Sequence, residues 1–199
     1  MSRPSGKDNM RDGVRTFICI EIPASIKERI GALQQSMRRI DAQASWVKPE
    51  NIHLTLKFLG DVESSRLDRV RDAVERASGS TSRFQVTVGA VGCFPSTKSP
   101  RVLWVGLAGM PDELSTLHKR IEDSLAREGF PREAKRFSPH LTIARLRAPQ
   151  NAARLAEDLI ATGFEPEAFE AREVIVMRSD LNPSGSIYTP QAIIPLNTL

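Results

Sequence analysis

Two short segments of the chain are near-copies of one another. Residues 51–60 read NIHLTLKFLG and residues 138–147 read SPHLTIARLR. The chain has three histidines, and two of them, His53 and His140, sit in the same H-L-T-[L/I] setting 87 residues apart (140 − 53). Threonine makes up 10 of the 199 residues, so a Thr two places after both histidines is not a chance pairing. The same offset moves residues 15–22 onto 102–109, the VLWVGLAG stretch, and 83–91 onto 170–178, the EAREVIVMR stretch. One offset therefore superposes three strand-like segments. A period this long is no solenoid repeat; it describes two related lobes.

Apolar periodicity supplies the elements between. RTFICIEI (15–22) is β-branched and aromatic, as strands are, and Pro23 ends it. Residues 24–40 place Ile26, Ile30, Leu33 and Met37 at helical spacing, with Ser25 as a candidate cap. NIHLTLKFLG reads as a strand closed by Gly60. Residues 64–77 give a second helix, and 83–91 a third strand. The Pro/Ser-rich 93–100 segment punctuates the chain and is the expected crossover between lobes. Beyond it the order strand, helix, strand, helix, strand begins again, followed by a last strand in SGSIYTPQAIIPL. The expected fold class is α+β. It has two pseudo-symmetric lobes, each a small, mainly antiparallel sheet with helices outside, facing across a central groove. Residues 1–13 are expected to be a disordered tail. Residues 14–199 are expected to form a single bilobal domain with an internal repeat of about 15–91 and 102–178.

In a strand, residues i and i+2 share a face. His53, Thr55 and Lys57 thus share one face, and Leu54, Leu56 and Phe58 the other. In the second copy His140 and Thr142 lie opposite Leu141 and Ile143. The apolar faces must meet the helices, which leaves an imidazole and a hydroxyl on the groove side of each lobe. Two imidazoles form a natural acid–base pair near neutral pH. Threonine hydroxyls can donate to phosphate oxygens. The chemistry that suits two opposed imidazoles is in-line displacement at phosphorus. No HExxH or CxxC pattern and no carboxylate within either motif suggests a metal site. The third histidine, His118, has no Thr at +2 and reads as surface or helix packing.

Composition narrows the class. Hydrophobic content of 40% and charged content of 26% are ordinary for a globular protein. No run approaches a membrane span, and the polar start is no secretory signal. Cys19 and Cys93 lie in apolar stretches without ligand spacing, which reads as buried free thiols in a reducing cytoplasm. The formal charge of +4 fits a nucleic-acid or phosphate substrate without requiring one.

The paired H-x-T-x motifs on a duplicated α+β scaffold resemble the two-histidine phosphoesterase superfamily. RTFICIEIP, NIHLTLKFLG, RVLWVGL, FSPHLTIAR and the late YTP resemble, in that order, its RNA 2′,3′-cyclic phosphodiesterase branch, also called LigT-like or 2′-5′ RNA ligase-like. The likeness runs from about residue 14 to near the C-terminus. It implies an enzyme without metal or cofactor that opens a ribose 2′,3′-cyclic phosphate, on RNA or a nucleotide, to a 2′-phosphate. Carried over residue by residue, His53 and His140 are the catalytic pair, and Thr55 and Thr142 bind phosphate. The usual family assignment has His140 activate water and His53 protonate the departing O3′. Arg145 matches a basic position near the phosphate, although strict alternation puts it on the face away from His140. It reaches the groove only where the strand ends or bulges.

Further residues follow from the faces. Lys57 would neutralise phosphate charge from the His53 face, or sit on the groove rim. Phe137 is a candidate base-stacking platform or a core residue. Trp46, Trp104 and Tyr188 read as structural. The chain is expected to be a cytoplasmic monomer that does not bind membranes. Three other functions use the same scaffold: 2′-5′ RNA ligation, hydrolysis of another small cyclic phosphate, and RNA binding without turnover.

Overall fold

Alternating β-branched and aromatic residues build the first strand, β1 (Gly13–Glu21), and Pro23 turns the chain into α1 (Ala24–Met37). A short strand, β2 (Ala44–Trp46), precedes the first motif strand, β3 (His53–Glu63). Then come α2 (Leu67–Ser78), β4 (Phe84–Phe94), β5 (Val102–Leu107) and α3 (Asp112–Arg127). The second motif strand is β6 (His140–Leu146), followed by α4 (Ala152–Thr162), β7 (Glu167–Ala171), β8 (Glu173–Asn182) and β9 (Gly185–Pro195). These elements come from a computed structural model, which describes residues 13–183 and 185–198. The expected tail lies outside the described residues except for Gly13, which opens β1. Ser25 does not cap α1; its hydroxyl bonds Glu167 at 3.0 Å.

The strands form two antiparallel sheets, ordered β3-β1-β8-β9 and β2-β6-β5-β4-β7. The lobes are thus not the two halves of the chain. β4 leaves its own repeat to join the second sheet, and β8 returns to join the first. The expected crossover at 93–100 is corrected accordingly. That segment joins β4 to its neighbour β5 within one sheet. The chain instead crosses to the second sheet for β2, returns for β3, crosses again after α2 and returns at Arg172. There the expected continuous strand over 170–178 breaks. β7 pairs with β4, β8 pairs with β1, and the Arg172 carbonyl between them accepts from Leu196 N–H at 2.8 Å.

The helices are exchanged too. α2 and α3 pack on the first sheet, where Ser124 of α3 donates to the Ala73 carbonyl of α2 at 2.7 Å. α1 packs beside α4 on the second sheet. One apolar core runs through both lobes, from Ile18, Leu54 and Ile121 to Leu103, Ile143 and Leu155. Each such side chain, fully buried, stabilises the fold by about 1.5–3 kcal/mol. On the other face of the first sheet, Phe17, Cys19, Ile175 and Met177 form a smaller cluster edged by Tyr188. Cys19 is buried and burial pushes its thiol pKa up, whereas Cys93 is partly exposed rather than buried; both thiols are free. No described helix is long and apolar enough to cross a membrane.

The register refines the repeat. Cys19 lies opposite Thr55, and Trp104 lies opposite Thr142. The first strands therefore correspond at an offset of 85 (104 − 19), while the motif strands keep 87. A difference of two, one full strand period, keeps the two first strands in the same alternation of faces.

Candidate active site

β3 and β6 begin at their motif histidines, and both histidines open onto one groove of about 910 Å³ between the lobes. Thr55, Thr142, Arg145 and Phe137 line the same groove. These six anticipated residues are thus in one place.

The two imidazoles are held alike. His53 Nδ1 lies 2.8 Å from the Asn51 carbonyl, and His140 Nδ1 lies 2.7 Å from the Ser138 carbonyl. A carbonyl oxygen only accepts, so each Nδ1 carries a hydrogen and donates it. In the neutral ring that leaves Nε2 with the lone pair. Each ring is also fixed by aromatic neighbours. Phe17 stacks on His53 with centroids 4.6 Å apart, and Tyr188 meets it edge-on at 5.3 Å. Phe94 meets His140 edge-on at 5.0 Å, and Trp104 lies behind at 6.5 Å. Burial of the His53 ring disfavours its imidazolium and lowers its pKa to about 4, against the opposing pull of the Asn51 carbonyl.

Both motif strands bulge just after the threonine. On β3 the register skips Leu56, since Cys19 pairs with Thr55 and Ile18 with Lys57. On β6 it skips Ile143, since Trp104 pairs with Thr142 and Leu103 with Ala144. Leu56 and Ile143 are themselves separated by the motif offset of 87 (143 − 56), so the bulge is part of the repeat. An extra residue reverses the alternation beyond it. Arg145 thereby turns into the groove, as its expected role requires. The same device overturns two other expectations. Lys57 points into the core with 1% of its side chain exposed, and its ammonium bonds Glu122 at 2.6 Å. Phe58 leaves the apolar face, stands 48% exposed and lines the groove beside Phe17.

The bulge in β6 is anchored from behind. Val47 N–H donates to the Ile143 carbonyl at 2.9 Å, and the buried Gln34 amide donates to the same oxygen at 2.9 Å. Gln34 also donates to the Val47 carbonyl at 2.7 Å. Trp104 needs close backbone approach: a Cβ on Gly92, its cross-strand partner, would lie 2.4 Å from the indole.

The remaining aromatic and basic residues were only partly anticipated. Phe137 lines the groove, but one face of its ring is covered by His118, stacked at 3.8 Å. His118 thus packs, as expected, although against a groove residue. Trp46 and Tyr188, expected to be structural, also line the groove. Lys48, Lys135 and Arg136 join Arg145 in the lining against one carboxylate, Glu133, so the groove attracts anions. No periodicity marks these three cations, which lie in irregular segments. Among the described residues, no cluster of three or more His, Cys, Asp or Glu could hold a metal ion.

Comparison with known proteins agrees with the fold and its repeat. The sequence model of the LigT like Phosphoesterase family matches twice in tandem, over residues 20–104 and 105–188. A protein of Methanothermobacter thermautotrophicus named RNA 2′,3′-cyclic phosphodiesterase is 32% identical over 185 residues, covering 92% of this chain and 99% of the relative. One of the same name from Thermotoga maritima is 32% identical over 176 residues, covering 88% and 91%. Among solved structures, E. coli LigT complexed with 3′-AMP superposes with a TM-score of 0.76 at 24% identity, covering 94% of this chain and 99% of that one. A Thermus thermophilus protein also gives 0.76 at 23% identity, covering 92% and 98%. Twin motifs, exchanged strands and tandem matches lead to one assignment: the chain belongs to the LigT-like phosphoesterases, an enzyme family of the two-histidine superfamily.

Proposed function

We propose that the protein hydrolyses the 2′,3′-cyclic phosphate of an RNA end or a nucleotide to a 2′-phosphate, by acid–base catalysis between His53 and His140 and with no step assigned to a metal. One observation carries the reading. Both imidazoles open onto one groove with Nδ1–H tied to a carbonyl, so that each offers Nε2. One Nε2 takes a proton from water as the water oxygen bonds phosphorus in line. The P–O3′ bond breaks, and the other Nε2–H gives its proton to O3′. Thr55 and Thr142 donate to the non-bridging oxygens, and the Arg145 guanidinium offsets the charge that grows on them. Phe137 offers a single ring face to a base, because His118 covers the other.

The base must begin neutral and the acid protonated. Burial keeps His53 neutral at neutral pH. In the acid role that the family resemblance gives it, His53 takes up its proton together with the substrate anion.

Incubation with 2′,3′-cyclic nucleotides and cyclic-phosphate-ended RNA in EDTA tests the reading. The expected product is the 2′-phosphate. His53→Ala and His140→Ala each lower turnover by about 10²–10⁴-fold. Loss of activity in EDTA, or a 3′-phosphate product, contradicts it.

A further inference from the structure

We propose that Lys57 and Glu122 are positioning residues, whose buried ion pair ties the strand carrying His53 to the loop that seats His140. The inference rests on the hydrolase reading above for its catalytic consequence, though not for the tether itself.

The pair is costly to bury. Lys57 and Glu122 expose 1% and 9% of their side chains. Two charges removed from water rarely stabilise a fold more than apolar residues of equal size. The matching position of the second lobe, Ala144, carries no charge at all. What the charges add is hydrogen bonding to a third element. Beyond its bond to Glu122 Oε1, the Lys57 ammonium donates to the Pro131 carbonyl at 2.9 Å. The other carboxylate oxygen of Glu122 accepts from Glu133 N–H at 3.1 Å. Both members of the pair thus hold the segment between α3 and β6, which has no ladder of its own to fix it.

That segment builds one wall of the groove. Glu133, Lys135, Arg136, Phe137 and Ser138 line it. The Ser138 carbonyl is the acceptor that orients His140. One helical turn before Glu122 on α3, His118 stacks on Phe137 and secures the same segment again. At the other end, Lys57 lies four residues after His53 (57 − 53) on β3 and faces inward because of the bulge. A continuous path therefore runs from His53 through β3, Lys57, Glu122 and the loop to the Ser138 carbonyl and His140.

The double variant Lys57→Met, Glu122→Leu separates tethering from folding. Apolar residues of similar size keep the core filled, so the thermal midpoint stays within about 5 °C of the parent. Amide exchange at residues 131–138 then rises at least tenfold while β3 and α3 stay protected. On 2′,3′-cyclic AMP, kcat/KM falls at least tenfold. Unchanged exchange overturns the tether. Faster exchange with unchanged kcat/KM overturns the positioning role. If the double variant does not fold, Glu122→Gln is read by the same two measurements, because the amide NH2 sets a donor against either the Lys57 ammonium or Glu133 N–H, where the carboxylate offered each an oxygen. If the parent lacks cyclic phosphodiesterase activity, the hydrolase reading fails. Exchange then decides the tether alone, upheld by lost protection and overturned by retained protection.

Discussion

Phe58 and Arg145 occupy matching places in the two lobes: each is the fifth residue after its motif histidine, and a bulge turns each into the groove. The scaffold is nearly symmetric there and the chemistry is not. One lobe offers the groove an aromatic ring and the other a cation.

Arg145→Met is expected to raise KM for a cyclic nucleotide by about 10–100-fold, the loss of a charge-assisted bond of roughly 1.5–3 kcal/mol. Arg145→Lys keeps the charge but loses the fork, and recovers only part of that. Steady-state kinetics at fixed ionic strength measures both. Equal KM in all three proteins contradicts the role.

The His53 ring should titrate near pH 4 in the free protein, against 6.5 for an unperturbed imidazole. Inorganic phosphate in the groove moves that midpoint up, because an anion beside Nε2 favours imidazolium. Between pH 6.5 and 4 the unfolded chain binds more protons here than the folded one, so stability falls as pH falls through this window. The loss from this group reaches at most about 3 kcal/mol. NMR titration of the ring, with and without phosphate, measures the first effect. Chemical denaturation of His53→Gln, whose stability should vary less between these pH values, measures the second.

Gln34→Leu removes the amide that holds the β6 bulge from behind. The part-buried Val47 carbonyl loses its side-chain donor, and the Ile143 carbonyl keeps only Val47 N–H. A stability loss of about 1–3 kcal/mol follows. Arg145 is then held less firmly, so KM rises more than kcat falls. A variant that loses stability with unaltered KM would show that the bulge does not need Gln34.

Gly92→Ala drives a methyl into the Trp104 indole, which stands behind His140. The indole must move, and His140 loses part of its support. Turnover is expected to fall several-fold with a stability cost of about 1–3 kcal/mol. A Trp104→Leu background, which removes the clash, should relieve most of that cost; unrelieved loss there contradicts the mechanism.

The twin histidines and threonines were legible because a period-2 strand dictates their faces, and the alternation holds up to each threonine. Beyond it a one-residue bulge decides everything, and local composition does not mark it. Arg145 was recoverable only as a condition on strand geometry. Lys57 was misplaced, since the strict pattern puts it beside His53. The exchange of β4 and β8 was hidden for a different reason: a repeat shows that two segments are alike, not which partner each pairs with. β2 was too short to carry a periodic signal, and the break at Arg172 falls inside an unbroken β-favouring run.

The exchange of strands also governs how the chain can reach its folded state. β1 finds its inner neighbour only when Arg178 is available to pair with Thr16. β4 has no sheet until β5 and β6 exist. A first repeat emerging from the ribosome therefore holds an open sheet edge and two unmatched strands, β2 and β4, and the first lobe cannot close before every strand of the second has been made. The closure of such long loops is slow, and His53 and His140 come to share one groove only in the closing stage. Activity during synthesis should consequently appear all at once, near the end of the chain, with no partially competent half-molecule before it.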